Sequence, residues 1–273
     1  MHTLTIAWPD LPAEVGALST LRSGGVSVGP YGAHGSGDAQ VRNGLQGTAG
    51  DEGDQGHGGL NLGLHVGDDP VAVEKNRGLL RAHIAAEPAW LAQVHGTRVI
   101  DLSAAVHLTD PPEADASIAT QPNQVCTIMT ADCLPVLLAD VRGTHVGAAH
   151  AGWRGLAQGV IVRTVEAMRA SGADQLTAWL GPAIGPQAFE VGSEVRRAFA
   201  HLGVRAEAAF VPVPGKSDKF LANLPALARL ALQKAGVTQV HGGTDCTVSN
   251  PTKFYSFRRD QVTGRMASLI WIK

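Results

Sequence analysis

Between residues 90 and 150 the chain offers six short β-like runs in close succession: WLAQV, TRVIDL, ADASIAT, QVCTIMT, LPVLLAD and THVGAAH. Strands this close in sequence pair through hairpins, because a parallel neighbour needs a crossover of a dozen or more residues. A doubly wound, all-parallel sheet is therefore excluded. LTIAW, ALSTLR, QLTAWLG, VTQVHGG and ASLIWI read as further strands. DDPVAVEKNRGLLRAHIAA predicts a helix capped by Asp69, with Pro70 in its first turn. RGLAQGVIVRTVEAMRASG predicts another, with Leu156, Val160, Ile161, Val165 and Met168 on one face and Gly172 near its stop. GSEVRRAFAHLG and NLPALARLALQKAG are also helical. The expected architecture is one layered α/β domain over 1–273, α+β-like with a mixed sheet and not a Rossmann fold.

At 273 residues the chain can bury a real core, and its 44% hydrophobic and 17% charged composition is that of a globular protein. A formal net charge of −2 provides no field for nucleic acid or an anionic membrane, so neither is an expected partner. The apolar runs are of strand length, and MHTLTIAWPD has no basic segment leading into an apolar one. Three cysteines, Cys126, Cys133 and Cys246, make no disulfide framework and suit a reducing cytoplasm. Residues 32–59 carry ten glycines and no aromatic residue, and read as a flexible surface insertion.

GGVSVGP and LNLGLHVGDDP carry neither a dinucleotide fingerprint nor a P-loop. GTHVGAAHAGWRG places backbone N–H groups at a helix start beside Arg154, where an anion can be received or where a glycine-rich connection simply turns. The chemistry gathers on TADCLP. His95 in LAQVHGT, Cys133 in MTADCLP and His150 in GAAHAGW each end a strand-like run and begin a loop. Strand ends at one sheet edge converge, and a His/Cys/His set leaves a fourth position open in the manner of catalytic zinc sites. Separations of 38 and 17 residues match no compact zinc motif. Two other readings stay open on the residues alone. Cys133 is a buried thiol, or it is a metal-free nucleophile with His150 or His95 as its base, as in a cysteine hydrolase.

Taken in order, SGGVSVGPY, LNLGLHVGDDP with the following NR, QVHGT, TADCLPVLL, AAHAGWRG, LGPAIGP with FEVG, and FYSFRRD with TGR resemble one known family. It is the family first called laccase-domain or polyphenol oxidase proteins, and now regarded as purine nucleoside phosphorylases with adenosine deaminase activity. The resemblance runs from about Ser19 to the C-terminus, and the 32–59 segment departs from it as an insertion. It implies a single α/β domain with zinc held by His95, Cys133 and His150. It also implies phosphorolysis of adenosine, inosine, guanosine and S-methyl-5'-thioadenosine, and deamination of adenosine. Copper fits the same three ligands, which keeps a copper-dependent polyphenol oxidase as an alternative. A laccase-type copper cluster takes many imidazoles, and this chain has no His-x-His pair.

Phosphorolysis requires guanidinium groups to hold phosphate, and Arg22, Arg154, Arg258, Arg259 and Arg265 are the candidates. Within FRRD one arginine is expected to face out while the other pairs with Asp260. Asn61 is a candidate ligand for a ribose hydroxyl. Phe254 and Tyr255 either stack a base or pack in the core. Asp132, next to Cys133, is a candidate proton shuttle if the backbone turns there.

Overall fold

The computed structural model describes residues 1–34, 58–84, 86–104 and 110–273. Among the described residues two large sheets stack face to face. The six-stranded sheet runs Gln239–Gly242, Leu176–Leu180, Leu134–Asp140, Val146–Ala151, Ala116–Ala119, Val99–Asp101. Its three central pairings are antiparallel, one of them the hairpin of Leu134–Asp140 with Val146–Ala151, and its two outer pairings are parallel, so the sheet is mixed as expected. The five-stranded sheet runs Thr3–Leu4, Val15–Thr20, Met266–Ile272, Val125–Thr130, Pro88–Ala89.

The strand Leu134–Asp140 is buried on both faces, which accounts for its unbroken apolar run. Leu134, Val136 and Leu138 face the helical layer, where they meet Val160, Ile161, Val165 and Met168. Leu137 and Ala139 point the other way and join Cys126, Ile128, Ile270 and Ile272 between the sheets. The two faces alternate with the strand period of two. The helix Pro70–Arg81 begins as expected, with the Asp69 side chain accepting from the Val71 N–H. The second predicted helix forms in two pieces, Trp153–Gln158 and Val160–Ala170, because Gly159 sits at φ 95° and breaks the ladder between them.

Two expectations change. WLAQV does not continue as a strand: pairing stops at Pro88–Ala89, with an isolated bridge at Ala92. Beyond that point the Gln93 side chain replaces the backbone. Its Nε2 donates to the Met129 carbonyl and its Oε1 accepts from the Met129 N–H, each at 2.8 Å. Residues 35–57 of the glycine-rich insertion lie outside the described residues. Its last two residues are not loop, since Gly58–Gly59 pair with Ser23–Gly25.

Candidate active site

Strand register brings the three candidate ligands together. His150 lies opposite Pro135 in the hairpin, so its side chain shares a sheet face with that of Cys133, two residues earlier. The ladder to the neighbouring strand pairs Ala149 with Ala116, and one step further the His150 N–H donates to the Asp115 carbonyl at 2.7 Å. His95 arrives from a turn whose backbone is held at φ 62°. Asp115 holds that turn by accepting N–H bonds from Val94 (3.2 Å), His95 (2.9 Å) and Gly96 (2.6 Å). The backbone also turns at Asp132, where φ is 97°, just before the strand begins.

His95 Nε2 lies 3.7 Å from Cys133 Sγ, and the ligand atoms of His95, Cys133 and His150 lie within 4.8 Å of one another. The two imidazoles meet edge to face with centroids 4.7 Å apart. Tetrahedral zinc with ordinary bond lengths places S and N ligands about 3.6 Å apart. The His95–Cys133 spacing fits that donor set. Gly152 makes the approach feasible, because a Cβ there would lie 2.9 Å from both Cys133 Sγ and His95 Cδ2.

Burial pushes the Cys133 thiol up, but the His150 ring, and His95 after it, outweigh this and bring it well below its ordinary value. Burial works against charge on His150, yet Cys133 and the Asp115 carboxylate raise its affinity for a proton. Asp115 itself is lowered despite its burial, through hydrogen bonds from His150 and the Gly96 N–H. Without a metal the same contacts push Cys133 toward thiolate and His150 toward imidazolium. Thiolate sulfur and imidazole nitrogen are the ligands that structural chemistry associates with zinc or copper.

The cluster sits in a cavity of about 550 Å³. Arg154, Arg258, Arg265 and His65 line it, as do the aromatic rings of Trp153, Phe189 and Phe257. Arg154 is exposed and lies over Trp153, 4.8 Å from the ring centroid. Arg258 donates to the Glu190 carbonyl at 3.1 Å and lies over Phe189. Arg265 donates to the Thr263 and Gly264 carbonyls. His65 is depressed by burial and by Arg265 and Arg77, which marks this wall of the cavity as cationic.

Of the other candidates, Arg22, Asn61, Arg259, Phe254 and Tyr255 lie outside the cavity lining. The Arg22 guanidinium is fully buried and spent on the fold, donating to the carbonyls of Gly32 and Pro251 and stacking on Tyr255. Asn61 is also fully buried. Its oxygen accepts from the N–H groups of Gly63 and Arg265, and its amide donates to Asp68. Arg259 pairs with Asp260 at 2.7 Å, and its neighbour Arg258 is the FRRD arginine that faces out. Phe254 and Tyr255 are core residues. The aromatic group this segment offers the cavity is Phe257, 51% exposed. Asp132 lines the cavity with both carboxylate oxygens engaged. Oδ1 accepts from the Thr247 hydroxyl and Oδ2 from the Arg258 N–H, each at 2.6 Å. Sequence reading missed Asp115, which carries no motif of its own and sits in a strand-like run.

The family described as multi-copper polyphenol oxidoreductase laccase matches residues 16–273. The chain belongs to that family. It is 47% identical over 273 residues to a purine nucleoside phosphorylase of Pseudomonas aeruginosa, covering 99% of this chain and 98% of the relative. It is 45% identical over 267 residues to the purine nucleoside phosphorylase YfiH of Escherichia coli, covering 97% and 96%. A crystal structure of a Neisseria meningitidis protein, 44% identical, superposes with a TM-score of 0.84 over the whole of both chains. Full-length similarity at this level to named enzymes identifies the chain as an enzyme.

Proposed function

We propose that this protein is a metal-dependent purine nucleoside phosphorylase. The observation that carries the reading is a His95–Cys133–His150 cluster in a cavity whose wall also presents three arginines and three aromatic rings. The names of its full-length relatives point the same way. Phosphorolysis of a nucleoside moves the ribose C1' from the base nitrogen to a phosphate oxygen, and the base departs with the electron pair and takes up a proton. Such a reaction rests on holding the two substrates in line and on stabilising negative charge.

Arg154, Arg258 and Arg265 are the residues proposed to hold phosphate, since guanidinium groups match its oxygens bidentately. Trp153, Phe189 and Phe257 offer faces to a purine. Asp132 enters as the residue that positions Arg258, because its carboxylate fastens the backbone there, and each of its oxygens keeps a lone pair through which a proton could be shuttled. His95, Cys133 and His150 are the proposed ligands of a zinc ion, with copper fitting the same donors. A zinc ion bound there supplies Lewis acidity and lowers the pKa of water, which is also the chemistry that deamination of adenosine needs. The substrates proposed are adenosine, inosine, guanosine and S-methyl-5'-thioadenosine. Three donors forming one cluster suit a single ion rather than a multinuclear copper centre.

A second reading has its own observation. Cys133, His150 and Asp115 form a nucleophile–base–carboxylate chain, with His150 Nδ1 2.7 Å from Asp115 Oδ1. Metal is favoured because a second imidazole, His95, converges on the same sulfur, and a nucleophilic chain has no need of it.

The test is to incubate the purified protein with inosine or adenosine and phosphate, and to follow hypoxanthine or adenine by chromatography. Base release that depends on phosphate and stops on chelation supports the proposal. Absence of a product from any purine nucleoside sinks it, and full activity after complete metal removal moves the case to the cysteine nucleophile. Within that assay, Arg258→Ala should raise KM for phosphate by roughly tenfold, as expected for one lost charge-assisted hydrogen bond. The melting temperature should hardly move, because the side chain is exposed and alanine keeps the N–H that Asp132 accepts. An unchanged KM for phosphate would remove Arg258 from the phosphate site.

A further inference from the structure

We propose that Asp115 is the positioning residue of the metal centre, one carboxylate that aligns both histidine ligands on Cys133. The inference rests on the metal reading above. Asp115 is completely buried, yet its two oxygens receive bonds from two separate parts of the chain. Oδ1 accepts from the His95 N–H at 2.9 Å and lies 2.7 Å from His150 Nδ1. Oδ2 accepts from Gly96 at 2.6 Å and from Val94 at 3.2 Å. A carboxylate can only accept hydrogen bonds while ionised, so the nitrogen facing it carries the ring proton, and Nε2 of His150 is the atom left to face Cys133.

The carboxylate also fixes the His95 turn. A non-glycine residue at φ 62° persists only where its surroundings over-determine it. Three consecutive N–H groups converging on one carboxylate provide that constraint. The Asp115 carbonyl completes the tie by accepting from the His150 N–H. The backbone position of His95 and the ring orientation of His150, two ligands from distant segments, are thus set by a single residue. Asp115 does not itself line the cavity and reaches it through His95 and His150, so it acts through the histidines.

Asp115→Asn and Asp115→Ala separate this role from general support of the fold. The first measurement is zinc affinity, by competition between the metal-stripped protein and a chromophoric chelator, at a temperature where each variant is folded. Asp115→Ala should bind zinc 10- to 100-fold more weakly, the usual effect of losing an outer partner of a metal-bound histidine. Asp115→Asn should fall between, since an amide keeps one acceptor oxygen but turns a donor toward its neighbours. Wild-type affinity in either folded variant overturns the proposal.

The second measurement needs neither metal nor activity. In the wild-type protein, with or without zinc, proton NMR should show a downfield His150 Nδ1–H resonance protected from solvent exchange. Asp115→Asn should shift it and Asp115→Ala should abolish it. Its absence from the wild type overturns the proposal even if neither variant folds. Should the wild type bind no zinc, the metal reading fails, and this resonance alone decides what Asp115 does.

Discussion

Cys133→Ala should lose its metal and about 10³-fold or more in phosphorolysis while its melting temperature stays close to that of the metal-stripped wild type. Cys133 contributes the only sulfur of the cluster, 3.7 Å from His95 Nε2. Two imidazoles without the thiolate make a much weaker and uncharged site. Metal-ion stabilisation of a transition state is worth several kcal/mol, which is the rate loss expected. The melting temperature is spared because Cys133 lies at the cavity wall, ahead of the strand, and only a small half-buried side chain is removed.

Metal analysis and thiol alkylation divide this outcome between the two chemistries. Bound metal should shield Cys133 from alkylation, and stripping the metal should expose a thiol that the histidines have made acidic and therefore fast to react. If the wild type loses activity on alkylation at an equal rate with and without metal, Cys133 is a nucleophile and not a ligand. Cys133→Ser should sit between the variants, because a hydroxyl is a poor zinc ligand at neutral pH.

Arg22→Met should destabilise the protein by about 3 kcal/mol and leave KM for phosphate unchanged. Methionine keeps most of the volume of the stem, so the loss isolates the guanidinium. Removing it takes the charged donor from the part-buried carbonyls of Gly32 and Pro251 and from the buried Phe254 carbonyl, at about 1–3 kcal/mol for each acceptor left without a partner. Asp260, 3.9 Å from Arg22, keeps its pair with Arg259, so no bare buried charge adds to the loss. Arg22→Lys retains the charge but cannot span these carbonyls, and should recover part of the stability. A rise in KM for phosphate at unchanged stability would return Arg22 to the substrate site.

Arg22 and Arg258 show why some of the site was legible in the chain and some was not. Both are arginines beside glycine- or aromatic-rich motifs, and nothing local separates them. What separates them is whether the surrounding segments close over the guanidinium. Gly32 from the following loop and Pro251 and Phe254 from far along the chain close over Arg22, while Arg258 reaches a cavity wall. Asn61 fell on the buried side for the same reason. Phe257 was overlooked in favour of Phe254 and Tyr255, because the alternation of a short turn gives no signal of which ring turns inward. The Gln93 amide that stands in for a strand rung was equally invisible, since its partner is the backbone of Met129.

Short-range patterns were enough for the strand-dense mixed α/β character, the capped start of the helix at Pro70, and the apolar face from Val160 to Met168, because spacing and capping act within a few residues. The type of chemistry was not settled at that range: a cysteine and two histidines, each where an apolar run meets a turn, left a three-donor site, a buried thiol and a free nucleophile open, and only the family resemblance favoured the metal. The tertiary structure alone decided that these donors lie within 4.8 Å of one another, and that a buried aspartate 20 residues from one histidine and 35 from the other holds both. Hairpin register and a strained turn produce that arrangement. Both are long-range consequences of which strands pair, and no local spacing encodes them.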